Sequence, residues 1–256
     1  MIRGLEWLGR AVLAGLQGVG TVSLLLWGVV RGALVRPLGV RLHVKQMEEV
    51  GTKSIPVVAI TGLSTGMVLA LQSYHGFQRF QAESLVGTVV ALSMTRELGP
   101  VLTGLMVAGR AGAAMAAELG TMRVTEQIDA LASMGVNPVK YLVLPRFLAG
   151  LVMLPILTVF CDIIGIAGGY LVSVFLLDVN PTVYMNRTFD YLEVADVYGG
   201  LSKAVVFGGI IALISCQRGF NASGGAQGVG QATTGAVVVS CVLILISDYV
   251  MTALLY

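Results

Sequence analysis

The sequence predicts an all-α integral membrane protein: an N-terminal interfacial or re-entrant helix, five transmembrane helices and one short cytoplasmic helix. Three observations carry that reading. Of 256 residues, 56% are hydrophobic and only 12% are charged, about half the ~25% charged content of a soluble domain. Mean hydropathy is +0.85. The apolar residues also fall into runs of membrane-spanning length, and the polar links between them differ in charge. The 33 glycines suit such a bundle, because small residues let membrane helices approach closely. A formal charge of +2 is nearly neutral and argues against a nucleic-acid partner.

Residues 1–10 read as a short amphipathic helix, with Leu5, Trp7 and Leu8 toward lipid and Arg3, Glu6 and Arg10 toward water. No clear cleavage site follows, so this start reads as retained rather than as a signal peptide. Residues 11–35 are apolar and long enough to span. Yet Arg3 and Arg10 precede them, and Arg31, Arg36, Arg41, Lys45 and Lys53 end or follow them. Positive charge marks the cytoplasmic side, so this segment is expected to dip and return or to lie obliquely. Gly15, Gly18 and Gly20 would permit a bend.

Ile55 to Tyr74 is a cleaner span, followed by a link at 75–84 containing Phe77, Arg79, Phe80 and Glu83. Leu85 to about Ala117 is the next. At ~1.5 Å per residue it exceeds a ~30 Å hydrocarbon core, so its lower part is expected to project below the membrane. It carries Met94-Thr95-Arg96-Glu97-Leu98-Gly99-Pro100. Pro100 cannot donate to the carbonyl of Arg96, which predicts a kink. Arg96 and Glu97 point about 100° apart on a helix, so each needs a partner on another helix, or water in a cavity. An ionised group at mid-bilayer costs roughly 2.5–3.5 kcal/mol by insertion scales. A polar site in the wall of a transport path accounts for the pair, and so does a structural ion pair that locks the bundle. Further along, Gly104, Ala108, Gly112 and Ala116 form a row of small residues at intervals of four. That row is a helix-contact surface suited to a bundle or a homodimer.

Residues 118–144 are the most polar internal stretch, with Glu118, Arg123, Glu126, Asp129 and Lys140. Thr125 is a plausible N-cap, Glu126 suits a first turn, and Gly135 then Pro138 end the helix. Val124, Ile128, Leu131 and Ala132 make one face; Glu126, Asp129 and Ser133 make the other. The result is a short cytoplasmic helix with an acidic face, or a solvated linker. Pro145 to Leu177 is another overlong span, with Pro155 as a kink, Asp162 in the middle, and Gly165, Gly168 and Gly169 as a packing patch. Residues 178–200 hold Asp178, Asp190, Glu193 and Asp196 against Arg187, which suits the outer side. Leu201 to Cys216 spans back and ends at Arg218. Residues 219–230 read as a glycine-rich loop, and Gln231 to Tyr256 as the last span, with Asp248 buried. Alternation then puts 36–54, 118–144 and 219–230 inside, and 75–84, 178–200 and the C-terminus outside. The basic residues fall inside.

No G-x-x-x-x-G-K-[ST] is present, and the run from Gly224 to Gly230 lacks the lysine that would reach a phosphate. The chain is therefore not expected to hydrolyse ATP or to be an enzyme, and no cofactor or metal is expected in it. His43 and His75 are isolated. Cys161, Cys216 and Cys241 lack metal spacing and read as small core residues. Glu97, Asp162 and Asp248 could form a proton relay, or could pair with Arg96 or Arg110.

One block of residues carries a resemblance. Leu98-Gly99-Pro100-Val101-Leu102, Ala108 through Ala114, Ala117-Glu118-Leu119-Gly120, and Thr125 through Leu131 lead to Asn137-Pro138 and Leu144-Pro145-Arg146. Residues 93–147 resemble the MlaE/YrbE permease family, the membrane subunits of ABC systems that move phospholipids or related lipids between bacterial inner and outer membranes. The resemblance implies one permease domain over 1–256, in the bacterial inner membrane. Its parts are N-terminal membrane-associated helices at 1–35, a five-span bundle at 55–256 and a coupling helix at 121–135. It implies a homodimer on cytoplasmic ABC ATPase subunits that use the ATP, a periplasmic MCE-domain protein, and in some systems a STAS-domain protein. Phospholipid would lie in a cavity between two permease copies. Leu69, Phe77, Phe80, Arg96, Glu97 and Val101 are the candidate substrate residues. Glu118, Arg123, Glu126 and Asp129 are the candidate ATPase-coupling residues. The alternatives are a proton-coupled secondary carrier using Glu97, Asp162 and Asp248, and a membrane scaffold that transports nothing.

Overall fold

A computed structural model describes residues 2–34 and 39–255, and all regular structure among them is helical. We number the helices α1 (Ile2–Leu34), α2 (Val40–Val50), α3 (Ile55–Gln78), α4 (Glu83–Val124), α5 (Gln127–Ser133), α6 (Val139–Phe175), α7 (Pro181–Tyr191), α8 (Val194–Phe220) and α9 (Gly225–Leu255). Six stretches are long and apolar enough to cross a membrane. Five of them correspond to the expected spans, and the sixth, Leu16–Ala33, lies within α1. The expected bend at Gly15, Gly18 and Gly20 is absent: α1 runs unbroken through all three. Its second half docks on the bundle, where Gly28 faces Val139, Gly32 faces Lys140, and Val29 is buried. Gln217 Nε2 donates to Thr21 Oγ1 at 3.2 Å from α8.

Backbone contact between glycines sets the packing of the central helices. In α3, a Cβ on Gly62 would meet the Cys161 carbonyl oxygen at 3.0 Å, and one on Gly66 would overlap the Gly165 carbonyl. A Cβ on Gly168 would come within 2.6 Å of the Leu63 carbonyl oxygen, so the expected glycine patch of α6 is the α3 contact. Gly150 of α6 and Gly208 of α8 meet in the same way. The small-residue row of α4 faces α8 and α9 of its own chain. Gly104 lies against Phe207 and Ile244, Gly112 against Ile211 and Ser215, and Ala108 and Ala116 are fully buried.

The α4 helix is not uniform. It widens into π turns at Met94–Leu98 and at Ala108–Gly112, and α6 opens with a third at Val139–Val143. The distortion expected at Pro100 is the first of these. Proline leaves the Arg96 carbonyl without its usual donor, and the Lys203 ammonium donates to that oxygen at 3.0 Å. The register shift of a π turn is common near functional sites.

Four local expectations are corrected. Thr125 does not cap α5: it closes α4 with its hydroxyl bonded to the Thr121 carbonyl, and Glu126, at φ 60°, takes the cap position. The short helix expected at 121–135 is accordingly shorter, Gln127–Ser133, because residues up to Val124 continue α4. Residues 178–200 contain α7, capped by Asn180 Oδ1 on the backbone of Thr182 at 2.9 Å, and the first turns of α8. The glycine run is helical from Gly225 onward, which leaves only 221–224 between α8 and α9.

Candidate functional site

The first π turn of α4 carries charge on one side and apolar surface on the other. Lys203 of α8 has no exposed surface. Its ammonium lies 2.7 Å from Glu97 Oε2 and 3.1 Å from Asp248 Oδ1 of α9. It also donates to Thr252 Oγ1 at 2.7 Å and to the Arg96 carbonyl. Thr252 in turn lies 3.1 Å from Glu97 Oε1 and 2.8 Å from the Asp248 carbonyl. Arg96 pairs with Asp196, with both Nε and Nη2 at 2.7 Å from Oδ1. Asp196 is buried, and its Oδ2 accepts from the backbone of Glu193 at the start of α8. Both charges of this π turn thus find partners on other helices, as a membrane interior demands. Neither is sealed: the Arg96 and Glu97 side chains keep 39% and 38% of their surface.

On the other side, Leu98 faces α3. With Ser64, Thr65, Val68, Leu69 and Gln72 it borders an open groove of about 330 Å³. Of the candidate substrate residues, Leu69 lines this groove, and Arg96 and Glu97 stand in the ionic cluster on the other side of the turn. Val101 and Phe77 are partly buried against the main core, and Phe80 is 79% exposed beyond the end of α3. One chain does not gather all six around a single cavity.

The three acids do not form one relay. Glu97 and Asp248 share Lys203, whereas Asp162 of α6 lies against Gly99, and its Oδ1 has no hydrogen-bond partner among the described residues. Arg110 pairs with none of them. It donates to the Glu49 carbonyl at 2.7 Å and to Ser54 Oγ at 2.9 Å, fixing the second π turn of α4 to the junction of α2 and α3. At the far end, Glu118 pairs with buried Arg146 at 2.6 Å, and Arg146 also donates to the Leu142 carbonyl. Arg123 pairs with Asp129 at 2.6 Å across the α4–α5 turn, and Glu126 is exposed.

Comparison with known proteins decides the family: the model for Permease MlaE matches residues 43–254. The chain belongs to the MlaE permease family. A probable ABC transporter permease protein of Rickettsia felis is 54% identical over 248 residues, covering 97% of this chain and 96% of its own. A probable ABC transporter permease protein of Synechocystis is 45% identical over 216 residues, 84% and 82% of the two chains. The intermembrane phospholipid transport system permease protein MlaE of Haemophilus influenzae is 37% identical over 254 residues, 97% and 96% of the two chains. This MlaE-family chain is thus an ABC transporter permease.

Sequence reasoning missed three members of the permease's ionic cluster: Lys203, Asp196 and Thr252. A signal existed for the first, since Lys203 is the one lysine inside the apolar run 201–216. Asp196 falls in the acidic stretch 178–200 that reads as lying outside, whereas it sits buried in the first turn of α8.

Proposed function

We propose that this permease moves phospholipid between the inner and outer membranes of a bacterium, as part of an ATP-driven complex in the inner membrane. The observation that carries this reading is the π turn at Met94–Leu98. It puts Leu98 in the wall of the groove at Leu69 and the half-exposed Arg96 and Glu97 on the opposite side of the same turn. An apolar slot with a few fixed polar groups suits an acyl chain joined to a charged headgroup. The Haemophilus relative, named as an intermembrane phospholipid transport system permease protein, supports the same substrate class.

The lipid site is completed between two copies of the chain. Energy comes from a separate cytoplasmic ABC ATPase, because the sequence holds no phosphate-binding loop with its lysine. The coupling element is α5, joined to α4 through the Arg123–Asp129 pair. A periplasmic MCE-domain protein receives or delivers the lipid, and a STAS-domain protein is a further candidate on the ATPase. The test is transfer of a fluorescent phospholipid between liposomes by the reconstituted complex. Leu69→Trp, which fills the groove, and Arg96→Ala should each lower ATP-dependent transfer about tenfold, about 1.4 kcal/mol in the barrier, while the complex still assembles. Transfer at the wild-type rate by both variants would overturn the assignment.

A further inference from the structure

A second cavity, of about 380 Å³, lies away from the groove, between the start of α2 and the connection from α5 to α6. Leu42, Tyr141 and Leu144 give it apolar walls, and His43, Asn137 and Lys140 also border it. No carboxylate lines it among the described residues. His43 Nδ1 lies 3.0 Å from the Gly39 carbonyl. A carbonyl only accepts, so Nδ1 donates to it, and in that tautomer Nε2 is left as an acceptor. That Nε2 is shielded from solvent and has no hydrogen-bond partner among the described residues. Asn137 Oδ1 accepts from the backbone of Val139 and Lys140 at 3.0 and 3.4 Å, which leaves its amide NH₂ to donate. The stem of Lys140 packs on Gly32 of α1, and its ammonium has no partner among the described residues.

The setting is a membrane interface. Val40 and Val44 of α2 are 71% and 58% exposed, and the exposed Arg41 and Lys45 follow them about 100° around the helix, the pattern of a helix lying at headgroup depth. The basic residues around it place it on the cytoplasmic side. Two unused cationic or amide donors beside one unused acceptor, over apolar walls, match one chemistry. A phosphate would lie on Lys140 and Asn137, a headgroup N–H or O–H would bond His43 Nε2, and the acyl chain would lie along Leu42 and Leu144.

We propose that this cavity is a second lipid site, distinct from the transport path. It holds one glycerophospholipid of the cytoplasmic leaflet whose headgroup carries a hydrogen-bond donor, ethanolamine or glycerol. Phosphatidylcholine has no such donor to offer and is excluded. The occupant is a resident ligand bracing α1, α2 and α6, and it is not the molecule transported.

The test uses the assembled transporter in phosphatidylcholine nanodiscs doped with a photoactivatable phosphatidylethanolamine, followed by peptide mapping. Adducts are expected on residues 136–145. Unlabelled phosphatidylethanolamine or phosphatidylglycerol should displace them, and added phosphatidylcholine should not. Lys140→Gln should lower their yield about tenfold, Lys140→Arg should restore it, and His43→Phe should erase the preference over phosphatidylcholine. Adducts along residues 64–72 report the transport groove separately and should be unaffected by these substitutions. Absence of adducts on 136–145, equal competition by phosphatidylcholine, or an unchanged yield in Lys140→Gln would overturn the proposal.

Discussion

Lys203 is the residue on which the ionic cluster turns. It carries a full charge with no exposed surface, and it meets two carboxylates, a hydroxyl and the carbonyl that Pro100 leaves free. Removing one partner of such a cluster leaves the others buried and uncompensated, which costs about 3–5 kcal/mol. Lys203→Met should therefore lower the thermal stability of the purified permease by that order. Lys203→Met with Asp248→Asn should recover part of the loss, because one stranded carboxylate is neutralised. Thermal unfolding of the two variants and of Asp248→Asn alone gives the coupling; strictly additive losses would show that the pair does not interact. The need for partners was legible at Arg96 and Glu97, since two adjacent charges in an apolar helix point in different directions. The identity of the partners was not, because Asp196 and Lys203 lie about a hundred residues away in sequence and only the packing of α8 on α4 brings them there.

Between helices, the deciding groups are glycines rather than charges. A methyl group on Gly66 would overlap the Gly165 carbonyl, and backbone has no rotamer by which to yield. Gly66→Ala should thus separate α3 from α6, lose at least about 1–3 kcal/mol of stability, and reduce the yield of folded protein. Gly109 of α4 has nothing within 4 Å of where a Cβ would stand, so Gly109→Ala should unfold at the wild-type temperature or slightly above it, alanine being the better helix former. Equal unfolding temperatures for the two variants would refute the close approach. The glycine patch of α6 and the small-residue row of α4 could be read from spacing alone, because four-residue intervals define a helix face. Which helix they meet could not: the row suited a dimer as well as a bundle, and its partners are α8 and α9. The glycine run after Arg218 misled for a related reason. Glycine is a poor helix former in isolation, yet Gly225 to Gly230 are helical at the head of a 31-residue element.

At the scale of the whole molecule, the proposed function requires the polar surface around α5 to convey force from an ATPase to the helix that holds the first π turn. The connection is continuous: α5 is tied to the end of α4 by Arg123 and Asp129, and α4 is tied to α6 by Glu118 and Arg146. Asp129 is therefore both a candidate docking charge and one half of an exposed ion pair, which is worth only about 0.2–1 kcal/mol. These two roles predict different outcomes. Glu126→Lys leaves the pair intact and should weaken capture of the ATPase by the tagged permease about tenfold, about 1.4 kcal/mol. Asp129→Lys should weaken it at least as much, since it removes a docking charge and also sets two cations together at the turn. The swap Arg123→Asp with Asp129→Arg rebuilds the pair in reverse. If Asp129 only braces the turn, the swap recovers wild-type capture and ATP-driven lipid transfer. If the carboxylate touches the ATPase, transfer stays low although the permease unfolds at its wild-type temperature. Capture and transfer measured together on these three variants separate a contact made with the motor from a strut that holds the contact in place.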